Sequence, residues 1–227
     1  MRTQLMLKAI IFDFDGVLVE SVFIKSNAFR ELFCNYPEHL DAFIQYHEYH
    51  GGVSRFVKIR YFFETYLGKK LTEDELAHWC RRYSQLVVQH VVLAPLVLGA
   101  ETLLEYCAQR YDLFVASGTP HEELAAIIKE RNMSSYFKGL YGSPATKKDH
   151  VGRIMAQERY LPNEICFVGD SVTDYEAAKA FHIPSIIRHD RELVGWMKNT
   201  DVLSVCQDMR SVLKFLQGME KQEEVIR

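Results

Sequence analysis

Two aspartates, Asp13 and Asp15, stand two residues apart at the end of an apolar run, AIIFDF over 9–14, that Gly16 closes. Such a run reads as a strand buried on both faces in a parallel sheet. Residues two apart on an extended backbone point the same way, and at ~4 Å two carboxylates repel by ~4 kcal/mol at an effective dielectric of 20. A cation, a shared proton or a phosphoryl group must relieve that repulsion. In open α/β sheets ligands bind beyond the carboxyl ends of the strands, which is where both side chains fall. The competing reading is a plain turn in which Asp and Gly only reverse the chain.

Three later stretches end in polar groups of the same kind. After the apolar DLFVA come Ser117, Gly118, Thr119 and Pro120, where Thr119 and Glu122 read as a capping box with Pro120 at the first helical position. Free amides and a hydroxyl at such a point suit an anion, although most capped helices bind nothing. In GSPATKKD, Lys147 and Lys148 precede a helix, a place where a lysine is most often solvated. ICFVGD ends at Asp170, and Asp174 follows four residues on: a metal shelf, or an acid favoured at a helix start by the dipole.

The elements that must position these groups alternate. Helical patterns at 100–109, 120–131, 149–157, 174–181, 192–198 and 209–216 interleave with short apolar strands at 112–116, 139–141, 165–168, 185–187 and 202–205, which implies βαβ units and a parallel sheet. Between the first strand and Pro95 the pattern is helical only: 20–34, 39–50, 53–67 and 71–92, the last with a capping box at Thr72 and Glu75. The charged tail, 220–227, is expected to fray.

The chain has 227 residues, 48% hydrophobic and 25% charged, enough for one large domain or a domain with an insertion. A net charge of -3 without a strongly basic stretch argues against a nucleic-acid surface and leaves small metabolites as the default partners. Five scattered cysteines, none in a CxxC spacing, fit reduced core residues of a cytoplasmic protein. No segment has the length and apolarity of a membrane span, and the short run near Arg2 and Lys8 leads into the first strand rather than to a cleavage site. Oligomeric state stays open between monomer and homodimer.

The order of these motifs resembles the haloacid dehalogenase-like phosphatase superfamily. DFDGVL (13–18) is similar to its first motif, VASGT (115–119) to its second, the Lys147 region to its third and VGDSVTD (168–174) to its fourth. The resemblance implies a doubly wound, Rossmann-like α/β core, 1–19 and 96–227, with a helical cap over 20–95, as in the subfamily of phosphoglycolate phosphatases and β-phosphoglucomutases. It implies that Asp13 is the nucleophile and Asp15 the general acid and base. It also implies that magnesium is held by the Asp13 carboxylate, the Asp15 backbone carbonyl and Asp170, with manganese a possible substitute at such hard oxygen ligands. Ser117, the Gly118 amide and Lys147 then cradle the phosphate, and Asp174 orients Lys147 or a metal-bound water. Lys147 is preferred over Lys148 because its spacing matches GSPxxK.

Substrate choice is expected in the cap. In HGGVSR (50–55) the Gly pair allows a close approach and Arg55 offers a planar fork for a carboxylate, a phosphate or a sugar hydroxyl; the alternative is an interhelical turn with a solvated arginine. The segment is similar to the VSR stretch of β-phosphoglucomutases. Lys25, however, stands where many relatives carry His, and Gly169 where family mutases carry Glu. His47 and His50 are read as surface or interface residues rather than as zinc ligands. The leading expectation is a magnesium-dependent phosphatase of a sugar phosphate or phosphorylated sugar acid. A phosphomutase and a non-catalytic binder of a phosphorylated ligand stand behind it.

Overall fold

The structure, a computed structural model, describes residues 6–190 and 195–226, apart from the side chains of 199 and 222–226. The strand AIIF, β1 (Ala9–Phe12), is fully buried and lies inside a sheet of six parallel strands. The others are β2 (Asp112–Pro120), β3 (Gly139–Ser143), β4 (Ile165–Gly169), β5 (Ser185–Arg188) and β6 (Ser204–Cys206), in the order β3-β2-β1-β4-β5-β6. Ile11 is registered against Phe114 of β2 on one side and Phe167 of β4 on the other. The strand order reverses between β1 and β4, the switch point at which open α/β sheets leave a crevice.

Alternation along β1 explains why helices cover both faces. Ile10 and Phe12 join a core with Leu103 of α5 (Ala100–Ala108), Ile127 of α6 (His121–Glu130) and Val212 of α9 (Met209–Ile226). Ala9 and Ile11 point the other way, to Ile154 of α7 (Lys147–Glu158) and Ala177 of α8 (Val172–Ala180). A strand apolar on both faces can sit only between two such layers.

Between β1 and α5 run α1 (Val22–Leu32), α2 (Pro37–Tyr49), α3 (Arg55–Leu67) and α4 (Glu73–Leu93). The chain leaves and re-enters the sheet side by side: Val19 bridges Leu96, and the Glu20 amide donates to the Pro95 carbonyl at 3.0 Å. Aromatic packing joins the four helices: Phe33 is stacked on Phe62 at 3.7 Å between ring centres, Phe29 meets Tyr83 at 4.2 Å in a tilted pair, and Phe43 of α2 meets Phe29 edge-on at 5.2 Å. The Thr72–Glu75 capping box forms as read. Arg131, just after α6, donates to the carbonyls of Val91, Val92 and Ala94, closing the end of α4 with a cation where the helix dipole favours one.

Three local expectations need correction. Thr119 and Glu122 form no capping box: β2 continues to Pro120, α6 begins at His121, and the Thr119 hydroxyl is turned into the cleft. The helix expected over 192–198 lies partly outside the described residues, and its remainder is a 3-10 turn, Gly195–Asn199. In the tail, expected to fray from 220, α9 is helical as far as Ile226, and the Glu220 carboxylate accepts hydrogen bonds from the Tyr106 and Tyr111 hydroxyls.

Candidate active site

Past β1 the backbone stays in the ladder for one residue, the Asp13 amide donating to the Val168 carbonyl at 2.9 Å. This points the Asp13 side chain out of the carboxyl edge of the sheet. Its Oδ1 accepts from the Phe14 amide at 2.7 Å and its Oδ2 from Lys147 Nζ at 2.7 Å, and the residue is only 3% exposed. Burial pushes the Asp13 carboxyl up to about 7; Lys147 opposes the shift, and the charges of Asp174 and Asp15 add to it.

Lys147 opens α7, where the Thr146–Asp149 capping box sets the start of the helix. Its Nζ lies 2.7 Å from Asp13 and 2.6 Å from Asp174, while Lys148 is exposed. Burial alone lowers a lysine, but the two carboxylates outweigh it and hold Lys147 above its ordinary range. Asp174, fully buried, is the third residue of α8. One oxygen takes Lys147; the other accepts from the Ser171 hydroxyl at 2.6 Å and the Ser171 amide at 3.1 Å. Asp170, at the end of β4, completes a cluster with Asp13 and Asp174 whose carboxylate oxygens lie within 4.8 Å of one another. Burial, then Asp13 and Asp174, drives the Asp170 carboxyl well above its ordinary value.

The turn after β1 is pinned by Gly16, at φ +78, where a Cβ would fall 2.1 Å from Asp170 Oδ2. That turn swings Asp15 away from the cluster. Its Oδ1 accepts from the Ser21 hydroxyl at 2.6 Å; its Oδ2 meets Lys25 Nζ at 2.5 Å, the Thr119 hydroxyl at 3.0 Å and the Ser117 hydroxyl at 3.3 Å. Burial raises the Asp15 carboxyl, but Lys25 and these hydrogen bonds prevail and hold it below its ordinary value. Two adjacent carboxyls are thus driven apart, a pattern that often marks an acid and base site.

The helical layer lies directly on these groups. A Cβ on Gly118 would be 2.4 Å from the Gly52 carbonyl oxygen, and one on Gly52, at φ +76, would be 2.8 Å from Lys147 Nζ. The Gly51–Gly52 turn therefore approaches the strand ends more closely than any side chain permits. Between the layers is a cavity of about 640 Å³, lined by Asp13, Asp15, Asp170, Gly118 and Thr119 from below and by Lys25, Arg55, Lys58, Phe29 and Tyr83 from above.

Of the residues singled out in the sequence, Asp13, Asp15, Ser117, Gly118, Lys147, Asp170 and Asp174 converge on one floor. Arg55 lines the cavity too, but its fork is taken bidentately by Glu123 of α6, Ser84 adds a bond at 2.7 Å, and its guanidinium lies 4.6 Å from the Tyr83 ring centre. It ties α3 to the core layer. His47 is not a surface residue: it is buried against Phe29, burial holds it neutral with its pKa down at about 2, and its Nδ1 lies 2.8 Å from Lys58 Nζ.

Sequence reasoning missed Glu123, the Thr119 hydroxyl and Lys58. Only Lys58 left a signal, as a lysine within the apolar stripe of Ile59, Phe62 and Phe63 on α3. Burial, then Lys25 and Lys147, pulls its ammonium down to about 7. Below that pH Lys58 is charged in both folded and unfolded chains. Above it, up to the ordinary 10.5, the unfolded chain keeps a proton that the folded protein has released, so stability from this group rises with pH. The unfolding midpoint of the wild type relative to Lys58→Met is therefore expected to rise from pH 6 to pH 9. A difference that is flat or falls over that window rejects the buried-ammonium picture.

Comparison with known proteins agrees with this architecture. The model of the haloacid dehalogenase-like hydrolases matches residues 7–182. A phosphoglycolate phosphatase of Salmonella typhimurium is 29% identical over 111 residues, a stretch that spans 47% of this chain and under half, 43%, of that protein. Among solved structures, a haloacid dehalogenase-like family hydrolase from Streptococcus pneumoniae superimposes with a TM-score of 0.71 over 92% of this chain and 98% of its own, at 20% identity. A hydrolase of the same type from Bacillus subtilis, bound to magnesium, does so with 0.70 over 93% and 99%, at 14% identity. At such identities the likeness speaks for the fold. Among the described residues, no helix is long and apolar enough to cross a membrane.

Proposed function

The chain belongs to the haloacid dehalogenase-like hydrolases, and from that membership we propose that it is a magnesium-dependent phosphatase of a small phosphorylated metabolite, with residues 20–95 as a cap over the core. One observation carries the reading: the buried Asp13 has one oxygen on Lys147 and a second carboxylate, Asp170, beside it, at the floor of a cavity.

In this mechanism an oxygen of Asp13 bonds to phosphorus as the bond from phosphorus to the leaving alcohol breaks, and Asp15 gives that alcohol its proton. Water then attacks the aspartyl-phosphate, Asp15 takes the proton of that water, and inorganic phosphate leaves a restored Asp13. Asp15 as described stands in its basic form, the one that the second step needs. For the first step it must hold a proton, which becomes favourable once a substrate oxygen parts it from Lys25. Lys147, Ser117 and the Gly118 amide bear on the phosphate oxygens, and Asp174 keeps Lys147 in place.

A divalent cation fits the donor set. Carboxylate oxygens of Asp13, Asp170 and Asp174 within 4.8 Å are hard ligands, and the Asp13 and Asp170 carboxyls are raised first by burial and then by the neighbouring carboxylates, which Lys147 alone does not offset. Asp13, Asp170 and the Asp15 carbonyl would hold it, with Asp174 beside them. When bound, magnesium neutralises charge on the phosphoryl group.

Hydrolysis is preferred to mutase chemistry because of Gly169. A Cβ there would lie 2.3 Å from the Asp174 Cβ, so the Glu of family mutases cannot be seated without displacing the residue that orients Lys147. A panel of phosphorylated metabolites is expected to include one that releases phosphate steadily and stoichiometrically without a bisphosphate activator. Conversion of glucose 1-phosphate to glucose 6-phosphate faster than phosphate appears replaces this reading by the mutase one. The scattered, disulfide-free cysteines support a cytoplasmic setting.

A further inference from the structure

Among the described residues, three cationic side chains line the cavity: Lys25, Arg55 and Lys58. Lys25 is matched by Asp15 and Arg55 by Glu123. Lys58, 3% exposed, makes no ion pair among the described residues. Its Nζ spends two of three N–H groups on His47, at 2.8 Å to Nδ1 and 3.1 Å to the carbonyl oxygen, and the neutral imidazole supplies no charge in return. A buried ammonium without an ion-pair partner is costly; the like charges of Lys25 and Lys147 add to the cost, and the carboxylates of Asp15 and Asp170, neither in an ion pair with Lys58, offset only part of it. The His47 carbonyl lies in the last turn of α2, so the helix end offers partial negative charge. That accounts for the direction of Lys58, but it does not replace an anion.

The placement gives the missing charge a source. Lys58 belongs to the roof of the cavity, while the phosphoryl chemistry belongs to Asp13 on its floor, and about 640 Å³ between them holds far more than a phosphate. We infer that the substrate carries a second anionic group, a carboxylate or a second phosphate, on its leaving-alcohol portion, and that Lys58 receives it. This rests on the phosphatase reading for which end of the substrate lies on the floor. It narrows the substrate class to doubly anionic phosphate esters and makes Lys58, rather than the engaged Arg55, the specificity residue of the roof. Such a residue trades folding stability for recognition, as binding sites commonly do.

Matched pairs of probes test it. 6-Phosphogluconate and sorbitol 6-phosphate differ by one carboxylate; fructose 1,6-bisphosphate and fructose 6-phosphate differ by one phosphate. Dissociation constants are measured by calorimetry in the presence of magnesium for the wild type, Lys58→Met and Lys58→Arg, each carrying Asp13→Asn so that no probe turns over, with phosphate release followed in parallel on the forms that keep Asp13. In at least one pair the wild type is expected to bind the doubly anionic member at least tenfold more tightly, and the pair that discriminates identifies the group. Lys58→Met is expected to cut that ratio below threefold, and Lys58→Arg to retain it. Ratios near one in both pairs of the wild type, or a preference that survives in Lys58→Met, overturn the inference. The wild-type ratios decide even if the Met variant folds poorly. Absence of phosphate release from every probe, with the binding ratio intact, supports the anion site and leaves the hydrolase reading to the wider panel of phosphorylated metabolites.

Discussion

Asp13→Asn is expected to reduce phosphate release by about 10⁴-fold or more while the protein stays folded, because an amide of nearly the same shape cannot attack phosphorus. The substitution leaves an oxygen to accept from the Phe14 amide, so the turn out of β1 keeps its support. It also deprives Lys147 of one of two carboxylate partners, with Asp174 retained at 2.6 Å. The cost of that loss is about 1–3 kcal/mol, and it is offset by no longer burying a carboxyl that its surroundings hold partly protonated at neutral pH. Circular dichroism and thermal melting of the variant check the fold, and released phosphate checks the chemistry. Turnover by a folded variant at a rate comparable to the wild type would falsify the assignment of Asp13 as nucleophile.

Removal of divalent metal is the second large effect. Carboxylates within 4.8 Å repel one another by roughly 3 kcal/mol a pair at an effective dielectric of 20, and among the described residues Asp170 has no ion-pair partner. EDTA is therefore expected to abolish phosphate release and excess magnesium to restore it. A readout independent of turnover accompanies this. Magnesium should raise the melting temperature of the chelator-treated protein, since a cation at 100 times its dissociation constant stabilises the folded state by about 2.7 kcal/mol. Asp170→Asn should lose most of that gain. Full activity in chelator, or a melting temperature indifferent to magnesium, would mean that the acidic cluster is an internal arrangement of hydrogen bonds and nothing more.

The floor of the site was legible because its residues are tied to strand ends. Asp13, Ser117 and Asp170 stand at the ends of apolar runs, and in a parallel sheet all such ends face the same edge, so composition and alternation suffice to bring them together. Lys147 and Asp174 follow for the same reason, each within the first turn of the helix after its strand. The helical insertion was equally plain, as its amphipathic stripes run without an intervening strand.

What lies above the floor was decided by tertiary packing. Thr119 and Glu122 have the spacing of a capping box, yet β2 runs on to Pro120, and the Thr119 hydroxyl accepts from Lys25 and donates to the buried Asp15 carboxylate, charge-assisted bonds that outweigh the one it would accept from a helix-start amide that water can solvate. Arg55 looked free in sequence because Glu123, its partner 68 residues away, is brought within reach only when α6 and α3 meet. Lys58 and His47 lie on different helices, and nothing in local periodicity reveals that a lysine in an apolar stripe has no ion-pair partner among the described residues. Local pattern determines which residues share a face or a strand end, since both follow from backbone geometry. Which charges are matched depends on how the layers seat against one another, and that is long-range.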